Sequence, residues 1–509
     1  MKKRVSGVVL SAAMLASAVL PTAGAGMVSA ESTAPADLST TLPLQAWYDK
    51  PAEMTSEGWE QQATQLGNGF LGAMVFGGVS RDKIQVNEHT LWSGGPGANA
   101  SYNGGVKGTA EEHKETLQEV RQKLQEYATD FSENKAAYID PGTGKLVTNN
   151  YSYGAYQSEL DAAMNSLFGE KSNFGSYQTL GDILISDLKE NDSYTDYKRV
   201  LDLNNGMVSV SYKQDGVTYT REYFISNPGN VMVMRLTASE KGKLSRKISI
   251  DSVQASKSIY GDIHNNTITM TGRPSDHTED GLKFAQQLKV IPEGGSILTL
   301  GDTAYVDNAD SITLVMTAGT NYQQCMDDTY DYFTDENPLD AVEERIAAAV
   351  QKGYDNLLAA HKADYQKLFN AMQLNIGGLT TVPNKPTDQL LAAYGGRTDN
   401  PNTTEEDLYL ENLYFQFGRY LLISSSREGS LPANLQGIWA DGTNPPWNAD
   451  YHTNINLQMN YWLAQQTNLA ECHTPVIEYV KAQVPRGTEM ANTYYCKQDG
   501  SPVPGFVFH

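Results

Sequence analysis

Cysteine is nearly absent: the 509 residues hold three, Cys325, Cys472 and Cys496. Three thiols cannot build the disulfide framework of a small secreted scaffold. A Cys472–Cys496 bridge is open to the chain, but buried free thiols are the expectation. No CxxC pair and no His/Cys cluster occurs, so no metal site and no cofactor are expected. Basic residues are few: 38 Lys plus Arg face 60 Asp plus Glu, a formal net charge of −22. So acidic a surface repels phosphate backbones, which excludes general nucleic-acid binding and fits a neutral substrate. Past the first thirty residues no stretch approaches the ~18 consecutive apolar residues of a membrane span. What remains is ordinary globular composition, 40% hydrophobic and 19% charged, which rules out disorder, collagen and coiled coil. At roughly 100–200 residues per domain the chain should hold at least two.

The first thirty residues are a case apart. Lys2, Lys3 and Arg4 are followed by a mostly apolar, small-residue run from Val5 to Leu20, with no acid. Pro21 breaks the run, and Val28-Ser29-Ala30 offers a small-x-small cleavage site, with Ala23-Gly24-Ala25 as a second. The stretch is short for a spanning helix and has the flanks of an export signal. Residues 1–30 are therefore predicted to be a signal peptide. The mature chain is then secreted or extracellular, free or held at the cell surface, without a membrane partner.

The rest divides into a strand-rich half and a helical half. From about Leu42 to Thr320 short alternating segments are separated by polar turns. The clearest is VSVSYKQDGVTYTREYF, Val208 to Phe224, where Asp215-Gly216 is a favoured two-residue type I′ turn. The pattern predicts an antiparallel sandwich. One insertion differs. Thr109 and Glu112 make a capping box, and Leu117, Val120, Leu124 and Tyr127 recur at helical spacing, giving a helix expected to lie over the sheets. At Asn337-Pro338 the period changes. Asn337 is a good N-cap, Leu339, Val342, Ile346 and Ala349 share a face, and Gly353 stops the helix. A second helix carries Leu357, His361, Tyr365 and Leu368; His361, with no partner nearby in sequence, reads as a packed core histidine. Gly377 to Asn402 reads as a loop. A long helix follows, with Thr403 and Glu406 as capping box and a stripe of Leu410, Leu413, Phe417, Leu421 and Ser424. It contains ENLYFQ, Glu411–Gln416, which matches a protease site used in cloning. That hexapeptide continues the stripe, no tag flanks it, and Phe417 follows where a small residue is preferred, so it reads as native sequence.

All six tryptophans fall in two stretches: Trp47, Trp59 and Trp92, then Trp439, Trp447 and Trp462. A tryptophan face suits stacking on a sugar ring, although a single Trp is more often a core anchor. The second stretch lies in Gly418–Trp462, where Asn, Gln, Tyr and His crowd among aromatics. Such a mixture suits a pocket that satisfies many hydroxyls. Within it, Asn454 and Asn456 are two apart. In an extended segment their amides point the same way and could hold one water; at a helix start they would be caps. Periodicity does not separate the two readings. Amides can orient a water but cannot take its proton, so a carboxylate is needed beside them.

Gly418–Trp462 resembles the catalytic-domain signature of glycoside hydrolase family 95, the inverting α-L-fucosidases. QLGNGFLGAMVFGGVSRDKIQVNEHTLWSGGP, Gln65 to Pro96, resembles the start of that family's N-terminal β-domain; SYQTLGDILI and YTREYFISNPGNVMVMRL resemble its later parts. HKADYQKLF, His361–Phe369, is similar to the family's helical linker. The resemblance runs from about Leu42 to the C-terminus. It implies a multidomain β + α chain: an N-terminal antiparallel β-sandwich over 31–335, a helical linker over 336–385, and the first part of an (α/α)6 barrel over 386–509. It implies that Asn454 and Asn456 orient the attacking water and that His452 binds the sugar. Trp439, Trp447 and Gln458, in the same aromatic and amide-rich stretch, are further candidate substrate contacts. The family's general acid, a Glu, and its general base, an Asp, have no matching positions in these residues. Asp441, Asp450 and Glu471 are the local acids. The barrel is therefore expected to be incomplete and the chain by itself inactive.

Three functions stand. The first is inverting hydrolysis of terminal α-L-fucose, α-1,2-linked in first choice, from oligosaccharides or glycans, with α-L-galactosides as near analogues. The second is a glycoside phosphorylase, for which Ser424-Ser425-Ser426-Arg427 is a candidate phosphate site. The third is a non-catalytic glycan-binding protein.

Overall fold

The computed structural model describes residues 42–507, apart from 135–136, 140–141, 144–145, 149–152, 166, 170–173, 328, 396–403, 496, 498 and 500. The expected signal peptide, Cys496 and Thr403 lie outside the described residues. Two antiparallel sheets form the first part. One has nine strands in the order Gln45–Tyr48, Thr195–Asp202, Met207–Gln214, Val217–Ser226, Val231–Ala238, Ser311–Thr320, Phe284–Glu293, Thr267–Arg273, Ser256–Asp262. The other has seven: Ser296–Leu300, Thr303–Ala309, Leu244–Asp251, Gly181–Asp187, Arg81–Glu88, Leu71–Val75, Thr64–Gly67. Inward residues of both, such as Ile84, Ile183 and Ile248 against Val210, Met232 and Leu314, share one core. The expected sandwich is there. In its clearest hairpin Gln214 pairs with Val217, and Asp215 and Gly216 both take positive φ, 50° and 82°, as a type I′ turn requires.

The strand sequences record which layers cover them. Leu244–Asp251 alternates buried and open positions along one wetted face. VMVMRL is apolar at successive positions because both faces are covered. Met232, Met234 and Leu236 enter the sandwich core, while Val231 and Val233 pack outward with Ile346, Ala349 and Leu357 of the linker. The linker is the helix pair Pro338–Lys352 and Tyr354–Phe369. Asn337 accepts from the Leu339 N–H, and Gly353 turns the chain at φ 75°.

His361 is a core residue. Its ring lies 4.9 Å from the Phe224 ring, and Nε2 contacts the Asn205 carbonyl at 2.9 Å. The insertion helix Ala110–Asn134 starts at Thr109 with the Glu112 box in place. Its buried Leu117 and Val120 pack with Leu167 and Tyr494, so the helix meets the C-terminal helix Thr474–Tyr494 and does not lie over the sheets. The span read as loop from Gly377 contains the helix Thr387–Ala393.

The long helix runs Glu405–Ser425, one residue off the expected cap: Thr404 and Asp407 form the box. ENLYFQ is built into it. Asn412 bonds both the N–H and the carbonyl of Ile376, and Gln416 bonds the Met372 carbonyl and Arg419. Arg419 is fully buried. It donates to the carbonyls of Leu368, Phe369, Met372 and Thr467 at 2.8–3.2 Å. Leu368 and Phe369 end the second linker helix, so the cation sits on its negative end. Burial lowers the Arg419 pKa from the usual arginine value.

Two outcomes are expected. Arg419→Met strands several buried carbonyls at ~1–3 kcal/mol each, so urea unfolding should show a stability loss of at least ~3 kcal/mol; a loss below ~1 kcal/mol would discount the clamp. Burial pushes the His361 pKa down to about 4, below the unfolded value of ~6.5. The folded ring therefore stays neutral where the unfolded one binds a proton. Its contribution is complete above pH ~6.5 and falls as the pH drops toward 4. His361→Gln should flatten that acid limb in melts taken between pH 7 and 4.

Candidate active site

The Gly418–Trp462 stretch leaves the long helix and is stitched onto the sandwich. His89 Nδ1 accepts from the Leu431 N–H at 3.0 Å. That bond requires a neutral ring, and burial holds the His89 pKa down at about 3. Asn87 exchanges amide bonds with Ala440, Trp439 Nε1 donates to the Leu66 carbonyl, and the Tyr177 hydroxyl donates to the Ile438 carbonyl. Glycine has a steric reason in the N-terminal motif. At Gly69, φ is 89° and a Cβ would lie 2.7 Å from the Arg427 side chain.

Trp447, Asn448 and Ala449 take φ of 54°, 57° and 49°, three left-handed residues in succession. For non-glycine residues this costs ~1–2 kcal/mol each. The turn is held by the Tyr177 N–H donating to the Asn448 carbonyl and by Ala449, packed dry with Tyr177 and Ala440. It leaves Trp447 77% exposed, beside the edge of His452 at a centroid distance of 6.0 Å and 84°. Asp450 Oδ1 lies 2.6 Å from His452 Nε2. Burial raises the Asp450 carboxyl, with His452 acting the other way.

The asparagine pair is not extended. Residues 453–455 form a turn and Asn456 opens the short helix Asn456–Asn460. Neither is it a cap, since no side chain caps that helix. Both residues are exposed, and neither amide has a hydrogen bond among the described residues. Gln458 Nε2 donates to the Thr453 carbonyl at 2.5 Å and closes the turn.

A cavity of about 720 Å³ opens next to this segment, lined by Pro446, Met459 and Asn460 on its side and by Ser56, Trp59 and Gln65 from the sandwich. Of the expected site residues Trp439 alone lines it; His452, Asn454, Asn456, Trp447 and Gln458 stand outside on the exposed face. Trp439 is 6% exposed and packs with Met74, Phe76 and Ile438, so it is also the core anchor that a tryptophan more often is. Trp59 packs against the same cluster, and Trp92 stacks on Tyr451 at 5.5 Å, so the two tryptophan stretches meet.

Other candidates are committed elsewhere. Ser425 Oγ donates to the Leu421 carbonyl, Ser426 Oγ donates to the Cys472 carbonyl, and Arg427 forks onto Asp364 at 2.8 and 3.0 Å. The tetrad proposed for phosphate is thus structural. Asp441 accepts from Gln85 and Ser56, both at 2.8 Å, and Glu471 pairs with Lys367 at 3.0 Å. Cys325 and Cys472 are buried free thiols. Among the described residues no cluster of three His, Cys, Asp or Glu could hold a metal. Sequence reading missed the Asp450–His452 contact, although their i, i+2 spacing is the signal that could have shown it. Trp59 stands in that reading only as one of six tryptophans, and Ser56 and Gln65 are not singled out at all, because their approach to the second stretch leaves no local signal.

A family model for the glycosyl hydrolase family 65 N-terminal domain matches residues 46–325, and one for the family 95 catalytic domain matches residues 353–509. Alpha-L-fucosidase 2 of Arabidopsis thaliana is 34% identical over 475 residues, which are 89% of this chain and 50% of that protein. Probable alpha-fucosidase A of Aspergillus niger is 32% identical over 461 residues, 89% of this chain and 52% of its own. The chain thus spans about half the length of these curated relatives. Among solved structures, a putative kojibiose phosphorylase from the human microbiome aligns with 78% of this chain and 45% of its own at a TM-score of 0.40 and 10% identity.

The tryptophans should separate by calorimetry. Trp439→Ala is expected to cost ~3–5 kcal/mol. Trp447→Ala should stay within ~0.5 kcal/mol of wild type, as fits a ring presented and not packed. A large loss at Trp447 would make that ring structural.

Proposed function

The chain belongs to glycoside hydrolase family 95, with an N-terminal domain of the family 65 type, and from this footing we propose that it takes part in releasing terminal α-L-fucose from glycans by inverting hydrolysis, α-1,2 linkages first. The observation that carries this reading is the exposed cluster of Asp450-held His452, the Trp447 ring beside it, and two amides, Asn454 and Asn456, with no partner of their own. A sugar ring would lie on Trp447, with its hydroxyls on His452. The asparagines would orient the water that attacks the anomeric carbon from the opposite face. Amides donate and accept but do not titrate, so a carboxylate must take the water's proton and an acid must protonate the leaving oxygen. Inverting sites hold these groups roughly 6.5–9.5 Å apart. We assign neither role to Asp441, Asp450 or Glu471, because each is engaged with a neighbour. Phosphorolysis is not carried forward, since the Ser424–Arg427 side chains serve the fold. Export is part of the proposal, on the basic and apolar start of the chain and its small-x-small site.

The 509 residues alone are expected to release little or no fucose from 2′-fucosyllactose, as the absence of a general acid typically lowers rates ~10²–10⁴-fold. Robust release would assign the chemistry to one of those three carboxylates. In a protein spanning the relatives' full length, Asn454→Asp and Asn456→Asp should each lower kcat by ~10²-fold or more with KM nearly unchanged, because each alters how water is held. A rise in KM at constant kcat would make the asparagines binding groups only.

A further inference from the structure

The 720 Å³ cavity has a use that the reaction as described leaves open. It begins where the proposed site ends. Pro446 on its rim precedes Trp447, and Met459 and Asn460 belong to the short helix that Asn456 opens. At 1.5 Å per residue the axial rise from Asn456 to Asn460 is only ~6 Å, so a sugar chain leaving the fucose would reach the cavity within one residue.

Its lining states what it would accept. Trp59, partly buried, supplies flat apolar surface, with Trp439 packed in the core behind it. Among the described residues no Lys, Arg or His lines it, while Glu60 and Asp441 do, so a phosphorylated, sulfated or sialylated ligand would meet like charge there. Gln65 and Gln436 bring neutral amides to the lining, and a sugar hydroxyl, which both donates and accepts, matches either end of an amide. Asp441 is already held by Gln85 and Ser56 and forms a fixed wall. The volume lies within the ~300–1,000 Å³ range of ligand pockets, and the walls come from both the sandwich and the family 95 segment.

We propose that this cavity is the subsite for the neutral saccharide to which the fucose is attached, with Trp59 as its stacking wall and Gln436 as its hydrogen-bonding group. The inference rests on the fucosidase reading for its direction, not for its chemistry. It makes the N-terminal domain a reader of the aglycone.

Ligand-observed NMR titration of this chain tests it with three probes: fucose, lactose and 2′-fucosyllactose. The trisaccharide should bind up to about tenfold more tightly than fucose, the gain expected from a buried aromatic contact. Trp59→Ala and, separately, Gln436→Leu should remove that increment and the lactose binding, and leave the fucose affinity within about twofold. Lactose 3′-sulfate should bind more weakly than lactose. If either variant, with a wild-type melting temperature, keeps both lactose binding and the trisaccharide increment, the subsite is overturned. Trp59→Phe provides a second variant should Trp59→Ala fail to fold; its smaller ring should keep only part of the stacking, and unchanged lactose affinity in it counts against the proposal. Failure of the fucosidase reading looks different: no probe carrying fucose gains over lactose, while lactose binding still depends on Trp59.

Discussion

Arg419 is a cation without a carboxylate. Wholly buried, it is answered by backbone carbonyls at the end of the second linker helix, at Met372 and at Thr467, together with the Gln416 amide oxygen. A guanidinium tolerates this because its donors are spread over a rigid fork and its charge can rest on a helix C-terminus. The consequence is geometric. The long helix cannot slide or rotate against the linker without stranding charge in a dry place. The linker in turn is bolted to the nine-stranded sheet through Val315, Ile346 and Ala349, and through Tyr365 donating to the Leu203 carbonyl. From Arg419 outward, the sandwich, the linker and the start of the catalytic segment behave as one body, and the aromatic segment from Arg427 onward is hung from it.

That attachment explains why the two long motifs, some 330 residues apart in the chain, need each other. The asparagine and histidine of QVNEH are used by the second motif: Asn87 bonds Ala440, and His89 accepts from Leu431. A neutral His89 is the condition of its bond, and burial secures it. Glu88 beside it is driven the other way, up to about 7, despite two bonds from Thr90.

Much of the fold was legible because its signals are local. The Asp215-Gly216 turn, the Asn337-Pro338 start and the Gly353 stop each act over a few residues, and each stands where the pattern put it. The cap of the long helix slipped by one because Thr403 and Thr404 precede three acids in a row, giving two boxes that sequence cannot rank. The insertion helix was read correctly as a helix but given the wrong neighbour, since its apolar stripe says that it packs and not on what. The site divides the same way. Asn454, Asn456 and His452 came from a motif, whereas Trp59 and Ser56 reach the cavity only because the two halves meet. The extended reading of the asparagines failed because Asn456 begins a helix, which turns the second amide away from the alternation of a strand.

The left-handed run Trp447–Ala449 has a consequence for how this surface could evolve. Glycine adopts such a backbone without steric cost, so three glycines would make the more stable turn. Ala449 repays its strain by filling a dry gap beside Tyr177. Trp447, open to solvent, has no such compensation. Selection for folding alone would drift toward glycine at that position, so an indole kept there carries a cost in stability that the fold does not return.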